Sequence, residues 1–591
     1  MIRKTIIFAG AFLLVAALLL GPGAARGQDG DDAPPALTTA SGAVGVGSYV
    51  AAEAYGIAAG EDAEAQPAQA IILPASVRGV AAPTDYVQLE SAAPDFTFAW
   101  ELAAPEGSAA ELMPGNVAIF QADVEGVYTL TLTATDPAGN TATTTWTVAA
   151  STYIGVGGMS PDAPAFPQCG TCHADHGPLW YNTAHGTAFS RALDGEGLDP
   201  ATNLPRITTG YQPGADNGGF DDLAGDWMPP TELVPGNWAA VSVDQPHVAQ
   251  MSSVQCEACH GPGSLHVTQG IANPDMPLID EGLAAGVCAN CHTVADQWDL
   301  SAHADKTAQA FWYPTGEDHQ DCVKCHSGVG FIDAAAGLPQ RTDYQPVTCA
   351  VCHDPHGSDN PGQLRVFDAV LLPDGTDITT AGASATCMSC HNTRRDPVTS
   401  VQAAVEGGSL STPHYSNAAE LLNNTGGYTW DETLPASLHG VVIQGSCVTC
   451  HMADAADNTV GGHTFAMTAA DGTPNTTQCA MCHGPTEGFD LPARGDYDGN
   501  GAIETTAAEL AGLRAVLQAA LEAEGVVVLD HYPYFEIPDG ASEALYGAVY
   551  NLQFAHSDTS AVHNFKYTAA LLQLSYEKLT GAPIDGADVV Q

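Results

Sequence analysis

The sequence predicts an all-β N-terminal module followed by a long, mostly irregular and α-helical body that closes with C-terminal helices. Three observations predict it. Runs of apolar residues alternate with polar ones before residue 150, all 16 cysteines lie after it at one repeated spacing, and helical periodicity returns only past Gly501.

The chain starts with Arg3 and Lys4 ahead of an apolar run, Ile6 to Leu20, and Ala25-Arg26-Gly27 offers small residues before Gln28. Residues 1–27 therefore read as a signal peptide. The run is short for a membrane span, no second long uncharged segment occurs, and no cysteine follows to carry a lipid. The expectation is an exported chain with no membrane span after signal removal. Residues 28–69 are rich in Ala, Gly and acidic residues and show little periodicity, so they read as a linker or loosely ordered segment, with order beginning near Ile71.

A β domain is expected over 70–150. Phe96, Phe98, Trp100 and Leu102 alternate with other residues, as do Tyr128, Leu130, Leu132 and Ala134, then Ala142, Thr144, Trp146 and Val148. Asp136-Pro-Ala-Gly-Asn140 between the last two runs is a hairpin turn. The segment GVYTLTLTATDPAGNTATTTWTV, with FTFAWEL before it, resembles immunoglobulin-like and PKD-type β-sandwich modules. That resemblance implies an Ig-like sandwich that spaces or adheres and carries no catalytic site.

Acidic residues outnumber basic ones 68 to 16, a formal charge of -52. Nucleic acid and anionic lipid carry the same sign and are disfavoured as partners. Cationic partners or metal ions fit better, and a solvated acidic surface that aids solubility fits equally well.

Every cysteine belongs to a Cys-x-x-Cys-His motif: Cys169, Cys172 and His173; Cys256, Cys259 and His260; Cys288, Cys291 and His292; Cys322, Cys325 and His326; Cys349, Cys352 and His353; Cys387, Cys390 and His391; Cys447, Cys450 and His451; Cys479, Cys482 and His483. Disulfides give no reason for a histidine after every second cysteine. Zinc sites use Cys-x₂-Cys pairs but do not need that histidine either, and redox dithiols need neither the histidine nor eight copies. On a helical turn, positions i, i+3 and i+4 share a face. Two thioethers can then hold one porphyrin while the histidine lies under its iron, which is the c-type haem attachment signature. The reading is eight haem c groups, each with a proximal histidine.

With these motifs the chain resembles multihaem c-type cytochromes over roughly 160–591. The resemblance implies a haem-dominated, mostly irregular and α-helical octahaem domain over 151–591, its helical C-terminal part being 502–591. Thr506 to Ala523 and Asn564 to Leu579 are the helices expected there, the second packing through Leu571, Leu572, Leu574 and Tyr576. Thirteen histidines remain beyond the motifs, enough for bis-histidine ligation of every iron. His356, three residues past His353, cannot easily reach the opposite face of the same ring and is expected to cap a neighbouring iron. His185 and His303 share the repeated turn W-x-x-[ST]-A-H-[GA]. Cys259-His260-Gly-Pro-Gly-Ser-Leu-His266 resembles an element of cytochrome c554-like proteins. His414, His439, His463 and His563 also resemble family ligand positions. These eight form the expected distal set, with His319 and then His247 in reserve, and His176, His531 and His556 weaker. Relatives of this kind often place a further attachment motif before T-T-G-Y, whereas Leu204-Pro-Arg-Ile-Thr-Thr-Gly-Tyr211 has no cysteine.

Asp496-Tyr-Asp498-Gly-Asn500-Gly501 matches the start of a calcium loop, with oxygen donors at positions 1, 3 and 5. Position 12 is Ala507, so Glu504 or Glu509 must supply the last carboxylate. The competing reading is a polar turn capping the next helix.

The resemblance implies electron transfer through closely packed haems, with redox proteins or extracellular acceptors as partners, at the cell surface or in the periplasm, and with self-association into filaments in some relatives. The rival is an octahaem oxidoreductase of the hydroxylamine oxidoreductase or nitrite reductase kind. It shares elements such as Cys447-Val-Thr-Cys450-His451-Met452 and keeps one iron open; Tyr532 or Tyr534 is its candidate neighbour, with packing as the competing role. No Cys-x-x-Cys-Lys motif occurs. A third class, an adhesion protein, accounts for the β module and not for the motifs.

Overall fold

The structure is a computed structural model and describes residues 40–57, 69–74, 96–113, 117–156, 169–270, 278–280, 283–305, 320–339, 345–443, 445–455, 458–529, 533–556 and 559–591. The expected signal peptide lies outside these residues.

The N-terminal region is two sheets around one core. Strands β1 (Ala40–Gly45), β4 (Thr97–Ala103), β6 (Gly126–Thr135) and β7 (Thr141–Ser151) form one sheet in the order β1-β7-β6-β4. Strands β2 (Tyr49–Ile57), β3 (Gln69–Pro74) and β5 (Val117–Gln121) form the other, in the order β3-β2-β5. The strand period of two sends alternate side chains to one face. Tyr128, Leu130 and Leu132 of β6, Trp146 and Val148 of β7, Val50, Ala52 and Ala54 of β2 and Phe120 of β5 meet in a single apolar cluster. The β6–β7 hairpin closes as its residues dictate. The Asp136 carboxylate accepts from the Asn140 backbone N–H at 2.8 Å and side-chain amide at 2.9 Å, and Gly139 takes a positive φ of 90°.

One expectation is corrected here. Residues 40–57 are not a loosely ordered lead-in: β1 pairs parallel with β7, Ala40 opposite Trp146, and β2 pairs antiparallel with both β3 and β5. Their inward residues are valine and alanine, so the alternation carries little hydrophobic contrast. Pairing with strands far along the chain, not local preference, sets their conformation.

The body that follows is built from short helices, mostly of four to nine residues, and turns. It is joined to the β region by hydrogen bonds centred on Glu257. That buried carboxylate accepts from the backbone N–H groups of Gly155 and Gly263, both at 2.6 Å, and of Ile154 at 3.1 Å. Ser151 donates to the Pro262 carbonyl at 2.7 Å, and Gln255 accepts from Val156 N–H at 2.7 Å.

The C-terminal part is a helical layer. In the Thr506–Ala523 helix, Leu510, Leu513, Leu517 and Leu521 repeat on one buried face, and the Thr505 hydroxyl caps the N-terminus by accepting from Ala508 N–H. A helix over Glu543–Phe554, which the sequence reading did not single out, is almost wholly buried against it. The last helix, Ser560–Thr580, leaves helical geometry at Asn564 and restarts there. The Asn564 side chain accepts from Tyr567 N–H at 3.1 Å and donates to the Leu421 carbonyl at 2.6 Å, so it acts as a cap inside the segment.

Leu517 is fully buried at the centre of this layer. Leu517→Ala is expected to cost about 2–5 kcal/mol, read as a lowered midpoint in denaturant unfolding of the full chain followed by far-UV circular dichroism.

Candidate functional site

Each Cys-x-x-Cys-His motif is a single helical turn. The backbone N–H of the motif histidine donates to the carbonyl of the first cysteine, at 2.7 Å for His173 and Cys169 and at 2.9 Å for His292, His353, His391 and His483. Both sulfurs and the imidazole therefore leave one face of the turn. No disulfide forms among the 16 cysteines.

Each motif histidine faces a histidine from elsewhere in the chain. Ring centroids lie 6.3 Å apart for His173 and His266, 5.9 Å for His260 and His356, and 5.8 Å for His292 and His185. The separations are 6.2 Å for His326 and His414, 6.3 Å for His353 and His463, and 6.1 Å for His391 and His303. They are 6.4 Å for His451 and His563 and 6.0 Å for His483 and His439. Imidazoles in direct stacking contact sit closer, as His176 does on His356 at 4.4 Å. A metal held by one nitrogen on each side, at about 2 Å per bond, puts two imidazole centroids roughly 6 Å apart. The spacing fits a haem iron between each pair.

The ring nitrogens are prepared for this. His260 Nδ1 lies 2.6 Å from the Asp280 carbonyl, His353 Nδ1 2.6 Å from that of Gly362 and His451 Nδ1 3.0 Å from that of Phe465. A carbonyl only accepts, so these Nδ1 atoms carry the proton and Nε2 keeps its lone pair for a metal. Burial pushes His303, His356 and His563 down to about 4 and His414 down to about 3, so all four are neutral at pH 7 and able to ligate. A zinc cage needs several donors at one point. Among the described residues, only the carboxylates of Asp496, Asp498 and Glu509 bring three such donors within 4.8 Å of one another.

The eight histidines expected as distal partners are thus the eight brought opposite the motif histidines. His356 lies opposite His260 and His353 opposite His463, so the two imidazoles of one short segment serve different centres. Of the reserves, His247 is exposed on the Pro246–Gln250 helix, and His319 lies outside the described residues, as do His531 and Tyr532. His556 is exposed after the Glu543–Phe554 helix. The acidic loop folds back on itself: Asp496 accepts from Gly499, Asn500 and Gly501 N–H groups, while Glu509 accepts from Tyr497 N–H at 2.7 Å.

Several positioning residues gave little signal in the sequence. In the repeated W-x-x-[ST]-A-H-[GA] turns the tryptophans are anchors. Trp180 Nε1 donates to the Val254 carbonyl and Trp298 Nε1 to that of Val347, both at 2.9 Å. The repeat itself was the available clue. Glu257 and Glu420 are buried carboxylates whose role depends on distant backbone groups, which no local pattern reveals.

Comparison with known proteins follows from this geometry. The family model described as a doubled CXXCH motif matches residues 345–396, the segment holding the motifs of His353 and His391. The chain is 25% identical over 353 residues to C-type polyheme cytochrome OmcC of Geobacter sulfurreducens, covering 47% of this chain and 44% of that relative. It is 27% identical over 172 residues to multiheme cytochrome MtrA of Shewanella baltica, covering 25% and 45%. C-type polyheme cytochrome OmcB of Geobacter sulfurreducens is 23% identical over 283 residues, covering 42% and 34%. These likenesses support a multihaem c-type cytochrome. The chain spans less than half the length of each of these curated relatives. No solved structure matches it. Among the described residues, no helix is long and apolar enough to cross a membrane.

Glu420 is fully buried on the Ala418–Asn423 helix. Its carboxylate accepts from Thr393 N–H at 2.9 Å and the Thr393 hydroxyl at 2.8 Å, and burial raises it to about 7. That value is above the roughly 4.3 of an unfolded chain, so its contribution to stability is complete below about pH 4 and is lost as pH rises through 7. Glu420→Gln is expected to flatten the fall in melting temperature between about pH 5 and pH 8, checked by thermal unfolding across that range.

Proposed function

We propose that this chain is an octahaem c-type cytochrome that conducts electrons through eight bis-histidine haems and performs no substrate chemistry of its own. The observation that carries the reading is the pairing of all eight motif histidines with a second histidine at the spacing one iron fills. When bound, haem c supplies one-electron redox chemistry at iron. The motif cysteines would tether the group, His173, His260, His292, His326, His353, His391, His451 and His483 would hold its iron from the motif side, and His266, His356, His185, His414, His463, His303, His563 and His439 would hold it from the other. An iron held by both histidines of a pair would leave no position for a substrate, which favours the conduit over the oxidoreductase reading.

The same proposal assigns the β region an immunoglobulin-like identity, extended to begin near residue 40 and ending near 150. Tyr128, close to the start of the penultimate strand, accepts from Val124 N–H at 3.1 Å, the upstream backbone contact of a tyrosine corner. The octahaem domain follows over 151–591. An exported location, surface or periplasmic, and redox partners or extracellular acceptors fit the N-terminal sequence and the acidic surface. Assembly into filaments is the further step, and the β region is the element placed to join subunits. The Asp496, Asp498 and Glu509 carboxylates, with Asn500, are assigned to calcium.

Purified holoprotein is expected to carry eight haems by pyridine haemochrome assay and to give a ferric EPR spectrum containing low-spin signals alone. A stoichiometric high-spin signal overturns the closed-iron reading and directs attention to hydroxylamine and nitrite. His414→Ala is expected to convert one haem per chain to high spin without changing the haem count.

Removal of calcium with EGTA is expected to lower the melting temperature of the wild type. It should leave Asp496→Asn/Asp498→Asn unaffected, and an unchanged wild-type melting curve removes the calcium assignment.

A further inference from the structure

The eight motifs, counted from one to eight along the sequence, do not pack in sequence order. Motifs one and two meet through their first cysteines, Cys169 and Cys256, whose thiols hydrogen-bond to one another. Motifs three and five meet in the same way through Cys288 and Cys349, and motifs six and seven through Cys387 and Cys447.

Each of these three pairs carries the same clamp. The carbonyl two residues before the later motif's first cysteine accepts a side-chain donor from beside the earlier motif. Trp180 Nε1 reaches Val254 O at 2.9 Å, Trp298 Nε1 reaches Val347 O at 2.9 Å, and Ser384 Oγ reaches Gly445 O at 2.5 Å. Between the pairs, neighbouring motifs come close enough for their sulfurs to interact electrostatically: Cys259 with Cys288 and Cys291, and Cys352 with Cys387 and Cys390. Motif eight joins the end, Cys479 beside Cys450.

Hydrogen-bonded pairs and the electrostatic neighbours between them therefore run one, two, three, five, six, seven, with no step passing through motif four. Motif four reaches this line at motif six. Cys325 hydrogen-bonds to Cys390, the sulfur already facing Cys352, and His326 lies near His391.

We propose that motifs one, two, three, five, six, seven and eight form a single line and that motif four is a side branch attached at motif six, giving the relay three termini. Exposure agrees with this arrangement. Cys172, Cys322 and Cys482, in motifs one, four and eight, are the exposed cysteines, and the other thirteen are partly buried. A one-electron donor at one terminus and a one-electron acceptor at another are sufficient for net passage. The third terminus gives a second carrier of the same class its own contact, without displacing either.

The inference rests on the motifs holding haem, so the experiment separates the two. A wild-type haem count other than eight is a failure of that reading, and with it the branch falls. Given eight, the iron positions in a holoprotein structure are expected to place iron five next to iron three and iron six nearest to iron four. Iron four lying between irons three and five overturns the branch. In full-length variants spanning two electrodes, Cys322→Ser/Cys325→Ser is expected to lose one haem and keep its end-to-end current. Cys349→Ser/Cys352→Ser is expected to lose one haem and most of its current. Equal loss of current in both variants also overturns the branch.

Discussion

Everything in the body of this protein depends on one arrangement: a motif histidine on a short helical turn, held opposite a second histidine from another part of the chain. Short helices and turns spread over more than three hundred residues do not bury enough apolar surface to fix a unique structure by themselves. Eight such oppositions cross-link the segments instead. Where ligand binding and folding share one free energy, such pairings organise the body and the apolar clusters fill in around them.

What the sequence made legible follows the range of each signal. The motifs are local, so their chemistry could be read directly. The Thr506–Ala523 helix carried a leucine stripe and a threonine cap, and its boundaries match the expected ones. The Glu543–Phe554 helix is buried on nearly every side, which erases the amphipathic contrast that periodicity relies on. Strands β1 and β2 were hidden because their inward residues are small, being alanine, glycine and valine, and several of their partners lie far along the chain. The individual histidines stood out by context, yet which motif each one faces is a long-range property. His185 faces His292 across more than a hundred residues, and His356 faces the motif of His260 rather than its own.

The β region is hydrogen-bonded to the motif-bearing body rather than tethered beside it. Glu257 stands between the two cysteines of one motif, and its carboxylate is consumed by backbone donors at the end of β7 and just past that motif. Motion of the β region is thereby coupled to the segment where the first two motifs lie. A neutral residue at that position leaves several buried N–H groups with a weaker acceptor.

The direction of the pairings also bears on how the molecule is made. For His173, His260, His326, His353 and His451, the facing histidine comes later in the chain. As the polypeptide emerges from its N-terminus, these five tethering segments exist before the residue that completes them. For a time each one lacks its facing histidine, and the last of these to emerge is His563, in the first turn of the Ser560–Thr580 helix. A chain cut short before His563 would leave His451, well inside the molecule, without its facing histidine.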